Sequence, residues 1–288
     1  MIVHWLRRHQ RTTYLVASGL STAGSFAGIT AKGWILIDGS HNPLLLALHF
    51  GALALPALVV SGPAGVLTDR IGSETMLIRA QWGLFAAGVL GALAIPLSGG
   101  QRQLEMGLLL LSTLLVGIAS TYELTARNKY CALLMEEPEQ LAPYLASFSV
   151  VFNVGKLVGP PLGGWLLALG GATTALTLDA ATYLLPVATV IWLLVPNRQL
   201  EKRSGASTTP TGLGAAWTVC GPILRHVLRF TALACLVAFY HPALAPLMAR
   251  QVLDGSPQAL GTFTSVLAAG SISGGMVLQR NSLWLSQR

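Results

Sequence analysis

The sequence predicts an all-α, polytopic membrane helical bundle, and three observations carry that prediction. Hydrophobic residues make up 53% of the 288, charged residues only 10%, and the mean hydropathy is +0.62, whereas soluble domains carry roughly 25% charge. Apolar runs recur along nearly the whole chain, each close to the ~20 residues that a helix needs to cross a hydrocarbon core of ~30 Å. Most of the eighteen Lys and Arg residues, which leave a net charge of +7, fall between these runs or near their ends. They form no basic stripe with interleaved aromatics, so a lipid bilayer is indicated as the partner and nucleic acid is not.

Eight spans are expected in order: Tyr14 to Ile37, Leu44 to Leu67, Leu77 to Leu97, Leu104 to Thr125, Leu141 to Leu169, Ala172 to Val195, Val227 to Met248 and Leu260 to Leu278. The first is read as an uncleaved span rather than a signal peptide, although Arg7 and Arg8 precede it, because no small-residue cleavage site ends a short apolar core. Most connectors are short. The exception is Pro196 to Arg225, rich in Ser, Thr and charge, which reads as a linker. The expected organisation is therefore a six-helix transmembrane half over 1–195, a cytoplasmic linker over 196–225, and an incomplete second half with two helices over 226–288.

Cytoplasmic loops retain Lys and Arg, so their partition sets orientation. With the N-terminus inside, fourteen of the eighteen basic residues lie on inner segments, Arg102 and Arg250 lie outside, and Lys32 and Lys156 lie within spans. The N-terminus is expected in the cytoplasm, with Ser73, Glu137 and Ser207 on that side and His41, Gln101, Gly171 and Ser256 on the other. Trp34, Trp82, Trp165, Trp192 and Tyr183 sit near span ends and are read as interfacial anchors.

Two motifs add information. Between the second and third spans runs Gly65-Val66-Leu67-Thr68-Asp69-Arg70-Ile71-Gly72. Gly65 is expected to let a neighbouring backbone approach, Gly72 to take the positive φ of a tight turn, and Asp69 and Arg70 to give the turn both signs of charge. In the fifth span, Gly155, Gly159 and Gly163 recur every four residues beside Lys156, Pro160, Pro161 and Gly164. That spacing makes a smooth stripe for close helix packing, and the prolines are expected to bend or loosen the helix midway. Gly171, in a loop, is expected to tolerate a side chain.

The pattern G-x-L-x-D-R-x-G at 65–72 resembles the loop between the second and third helices of the major facilitator superfamily. G-x-x-x-G-P-x-x-G-G at 155–164 is similar to the fifth-helix motif of its drug/proton antiporters. Ala31 to Trp34 and Ala245 to Leu253 also resemble the exporter branch that includes the enterobactin exporter and the transmembrane secretion effectors. The superfamily pattern usually continues after Gly72 with two basic residues, where this chain has Ser73 and Glu74. The resemblance implies a major-facilitator-like six-helix half plus two helices of a second half, four fewer than the family's twelve. It also implies a multi-pass protein of the bacterial inner membrane.

Charges inside spans cost ~2.5 to 3.5 kcal/mol on insertion scales, so they are usually paired or functional. Lys156, with Asn153 three residues earlier on the same helix face, is a candidate for substrate or proton coupling. Glu123 and Arg127 are four apart and can pair, though Arg127 could instead reach Asp69. Lys32 and Asp179 lie at similar depth in the first and sixth spans, where they can pair or snorkel outward, and with Glu123 and Arg127 they are further candidates for substrate or proton coupling. His49 and His241 are read as structural groups.

The resemblance implies a secondary transporter exporting a drug, siderophore or metabolite against protons by alternating access, with Gly65, Asp69, Arg70 and Gly72 as the gate loop. The alternative is a truncated, transport-incompetent protein that needs a partner, with dimerisation through Gly270, Gly274 and Gly275 as one route. No catalytic constellation, Walker loop or metal-ligand spacing is present, and Cys131, Cys220 and Cys235 make no C-x-x-C pair. No cofactor, metal or enzymatic activity is expected.

Overall fold

The computed structural model describes residues 9–40, 42–135, 138–192, 221–238, 241–253, 255–267, 269–270 and 273. Most of the segment read as a linker, the C-terminal part of the last span, His41, Glu137 and Ser207 lie outside them. Every regular element among these residues is helical: α1 Gln10–Ser40, α2 Pro43–Ala54, α3 Pro56–Ile71, α4 Ser73–Ser98, α5 Arg102–Leu133, α6 Leu141–Thr182, α7 Leu184–Trp192, α8 Pro222–Ala238 and α9 His241–Gln251, with a 3₁₀ turn at Pro138–Gln140. A further helical stretch runs over 257–267.

Four stretches among the described residues are long and apolar enough to cross a membrane: Pro43–Ile71, Ser73–Ser98, Arg102–Leu133 and Pro143–Ile191. The first span is a 31-residue helix, which at ~1.5 Å per residue exceeds the bilayer core in length. It falls outside the apolar set because its middle carries Ser18, Gly19, Ser21, Thr22, Gly24, Ser25 and Gly28. Those small residues are what it packs with, as its neighbours show below.

Local chemistry sets the boundaries. Asn42 caps α2, its side chain accepting from the Leu44 N–H at 3.0 Å, and Pro43 fits the first turn because its missing donor would be an orphan there. Pro56 at the start of α3 divides the second span into two helices. The turn into α4 is made by Gly72, with φ 90° and ψ 144°, the positive φ expected of it. Pro160 and Pro161 lie inside α6 without interrupting its helical backbone; the non-helical residue is Gly171, at φ 76° and ψ 177°. The fifth span and the first part of the sixth thus run as one helical stretch broken at the loop the sequence predicted. A side chain at Gly171 would be strained, contrary to the expected tolerance, because that backbone region is essentially reserved for glycine.

The two larger apolar clusters lie along the axis of the bundle. One, at the end that carries Asp69, gathers Tyr14, Met76, Leu77, Ala126, Tyr130, Cys131, Phe148 and Val190. The other, toward Asp38, gathers Ala31, Leu36, Ala92, Ala94, Leu109, Ala175 and Leu176. Large apolar side chains such as Val59 and Leu169 stand exposed around the outside, the pattern of a protein whose solvent is lipid. The helix α8 begins at Pro222, inside the segment read as linker.

Candidate functional site: polar groups within the helix bundle

The gate-loop motif folds as a helix end and a turn. Asp69 lies exposed in the last turn of α3, and its Oδ1 is 2.8 Å from Lys129 Nζ on α5. Lys129, absent from the sequence reading, takes the role considered there for Arg127. Arg70 is exposed. A Cβ at Gly65 would meet nothing within 4 Å among the described residues, which corrects the expected close backbone approach. At this level α3 buries Thr68, whose hydroxyl donates to the Ala64 carbonyl within the same helix.

Glu123 and Arg127 form an ion pair at 3.4 Å along α5, with both side chains largely shielded. Gln81 Nε2 lies 3.4 Å from Glu123 Oε1, and the Arg127 guanidinium sits 5.3 Å from the centroid of the Phe148 ring. One helix turn thus places a carboxylate and a cation between α4 and α6, each with a second contact that sequence spacing could not reveal.

The fifth-span glycines face α1. A Cβ on Gly155 would lie 3.1 Å from the Ala23 nitrogen, one on Gly159 would lie 2.7 Å from the Ala23 carbonyl oxygen, and one on Gly163 would lie 2.5 Å from the Ala27 carbonyl oxygen. Three successive turns therefore touch backbone directly, and α6 is the main neighbour of α1. Gly164 faces the other way, against Pro257 and Gly261. Pro160 is buried, Lys156 half-buried and Asn153 exposed on the same helix.

Lys32 and Asp179 are both 3% exposed, so neither snorkels to an interface as considered above. Nor do they form a direct ion pair. Lys32 Nζ donates to Ser112 Oγ at 2.9 Å, and Ser112 in turn donates to the Ala87 carbonyl at 2.7 Å, joining α1, α5 and α4. The Asp179 carboxylate packs against Gly28 and lies beside the Tyr183 hydroxyl, while its Oδ1 has no partner. Tyr183 Oη is 3.1 Å from Ser25 Oγ, so Tyr183 is an internal hydrogen-bonding group rather than an interfacial anchor. Nearby, His49 Nδ1 lies 3.0 Å from Thr113 Oγ1, and its Nε2 is buried without a partner. His241 falls outside the described side chains.

The helices that follow the linker meet the first six at the Asp38 end. Arg250 Nη1 is 3.0 Å from Asp38 Oδ1, and Trp34 packs with Ala245, Ala249 and Leu260. Trp34, read as an anchor, is therefore a buried contact between blocks. Asp38 was not singled out in the sequence, since an acidic residue near a span end carries no signal of its partner.

Comparison with known proteins adds to this helical arrangement. The family model for transmembrane secretion effectors, of the major facilitator superfamily, matches residues 5–287. The chain belongs to that family. It is 24% identical to the multidrug efflux pump Tap of Mycolicibacterium fortuitum over 95% of this chain and 68% of the pump. It is 21% identical to the staphyloferrin A transporter of Staphylococcus aureus, over 93% of this chain and 67% of that protein. It is also 24% identical to the MFS-type transporter YfiS of Bacillus subtilis, over 90% and 61%. The chain thus spans about two-thirds of the length of the curated relatives it matches. Family and relatives are transporters, not enzymes, and this secretion effector chain is a multi-pass membrane protein.

Proposed function

We propose that the chain works in proton-coupled export of a small molecule across the bacterial inner membrane by alternating access, with its Asp69 end in the cytoplasm. The observation that carries this reading is how the two blocks meet. The Asp38–Arg250 pair and the Trp34 cluster join them at the end away from Asp69, whereas Ile223, Phe230 and Leu233 of α8 are 80, 72 and 60% exposed. Among the described residues, the contacts between the two blocks at that one end support the geometry that alternating access needs on one side of its cycle. The positive residues on the Asp69 end support the orientation, and the named activities of Tap and the staphyloferrin A transporter support a drug or siderophore as cargo. The domains of this reading are the six-helix half over 1–195, the linker over 196–225 and the second block over 226–288.

Of the sequence candidates, Asp69, Arg70 and Gly72 serve this reading as the cytoplasmic gate turn, and the Gly155 to Gly164 series as the moving interface. Lys156, Asn153, Glu123 and Arg127 remain candidates for polar contact with cargo. The test is reconstitution of the chain into liposomes with an imposed pH gradient and a panel of dyes and ferric siderophores. Gradient-dependent movement that falls at least tenfold on Asp69→Asn is the expected result. No movement by folded, correctly inserted protein would overturn the transport reading.

A further inference from the structure

We propose that Asp179 is a proton-binding site enclosed within the six-helix half, and that Lys32 responds to its occupancy by exchanging Ser112 for the Asp179 carboxylate. The inference deepens the proton-coupling reading above and rests on it for its purpose. Asp179 is shut off from solvent by α1 and its own helix, and its Oδ1 has no hydrogen-bond partner. A carboxylate left this way in a low-dielectric interior costs several kcal/mol. With Lys32 donating to Ser112, the geometry suits a neutral Asp179. When the O–H bond breaks and the proton leaves to water, the remaining negative charge attracts the nearest cation, which is Lys32.

Lys32 is able to answer. Its ammonium has three donors on a flexible four-carbon stem, one of them used on Ser112. Gly91 leaves its path clear: a Cβ there would lie 3.0 Å from Lys32 Cε. The titratable groups facing Asp179 are Lys32 from α1 and Tyr183 from the α6–α7 junction, with Glu123 of α5 acting on Tyr183 and Lys32 itself acting on His49 of α2. The α4 helix presents Gly88 and Gly91 on this side. Because Ser112 also holds the Ala87 carbonyl, the Lys32–Ser112 bond ties α1 to the α4–α5 pair. A proton at Asp179 thereby decides whether that tie exists, inside one half of the molecule rather than between halves.

The test is infrared difference spectroscopy of the full chain in lipid nanodiscs, titrated with pH alone. A carboxylic acid C=O band that disappears as pH rises is expected, absent from Asp179→Asn and displaced in frequency in Asp179→Glu. Ser112→Ala and Lys32→Met are each expected to move the titration midpoint by at least about one pH unit, a tenfold change in proton affinity. Ser112→Ala carries the partner exchange, since it removes only the competing site for Lys32. A band that survives Asp179→Asn overturns the site, and an unmoved midpoint in Ser112→Ala overturns the exchange. Should the amide variant be recovered unfolded, an Asp179→Glu band at the wild-type frequency overturns the site instead. The titration uses neither cargo nor gradient, so its failure leaves transport standing, and a failure of transport leaves the titration readable.

Discussion

Lys129 on α5 holds Asp69 of α3 at 2.8 Å across 60 residues of chain. The pair fixes the end of the second span against the end of the fourth and so braces the turn at Gly72 from outside. Both partners are partly exposed, Asp69 by 54% and Lys129 by 29%, and pairs of this kind contribute only ~0–1 kcal/mol.

Lys129→Met is therefore expected to lower stability by no more than ~1 kcal/mol, with the difference from wild type shrinking as salt is raised. Thermal unfolding in detergent at low and high ionic strength measures it. A loss that is both larger and insensitive to salt would show that Lys129 acts through packing of its stem instead.

The Glu123–Arg127 pair should behave in the opposite manner. Its side chains are 11% and 17% exposed, and removing one partner of a shielded pair leaves the other uncompensated, at a cost of ~3–5 kcal/mol. Arg127→Met alone is expected to destabilise by that order, whereas Glu123→Met with Arg127→Met should recover most of the loss. Chemical unfolding of the three variants checks it, and an additive double variant would refute the pairing as an energetic unit.

Glycine substitutions along α6 should divide by what they face. Gly163→Ala places a Cβ 2.5 Å from the Ala27 carbonyl and Gly159→Ala one 2.7 Å from the Ala23 carbonyl, and backbone cannot move aside as a side-chain tip can. Each is expected to cost ~1–3 kcal/mol of overpacking. Gly107, helical and with open space around its Cβ position, is the fitting control, and Gly107→Ala should be neutral or slightly stabilising. Equal melting temperatures for all three would remove the packing role of the stripe.

These residues also show what the sequence could carry. Spacing is local, so Glu123 with Arg127 and the every-fourth-residue glycines were legible: one helix turn determines both. The positive φ at Gly72 and the break at Gly171 followed from turn chemistry. Partners from distant elements were not legible. Lys129 and Arg127 lie two residues apart on α5, and only the rotation of that helix against α3 decides which one meets Asp69. Depth misled in the same way. Trp34 and Tyr183 sit near span ends, where aromatic rings usually meet headgroups, but both are buried by neighbouring helices. Lys32 and Asp179 were found because charges in apolar runs are conspicuous, and Ser112 was missed because serines are not.

Topology can be checked at positions the fold leaves open. Ser73 is fully buried, so it is a poor labelling site; Thr75 and Glu139 are exposed at the Asp69 end and Gln101 at the opposite end. In a background without the native cysteines, Gln101→Cys is expected to react with an impermeant maleimide in intact cells. Thr75→Cys and Glu139→Cys should react only after permeabilisation. The reverse pattern would invert the proposed orientation.

The close approach of α1 to the sixth span rests on Gly28. A Cβ there would overlap the carboxylate of Asp179, and one at Gly24 would overlap Thr182, so two successive turns of α1 are without side chains where the helix bearing Asp179 passes. Asp179 cannot simply swing away, because it is enclosed. Gly28→Ala is therefore expected to destabilise by ~1–3 kcal/mol through overpacking and to disturb the Lys32–Ser112 bond one turn along. Asp179→Ala removes the group that the new methyl would strike, so the double variant should be more stable than the sum of the two single losses. Residues in direct contact show coupling of ~0.5–3 kcal/mol in such cycles. Unfolding free energies of wild type, both single variants and the double variant give the coupling directly. A value near zero would mean that α1 and the sixth span do not meet at Gly28 in the membrane, and the enclosure of Asp179 would have to come from elsewhere.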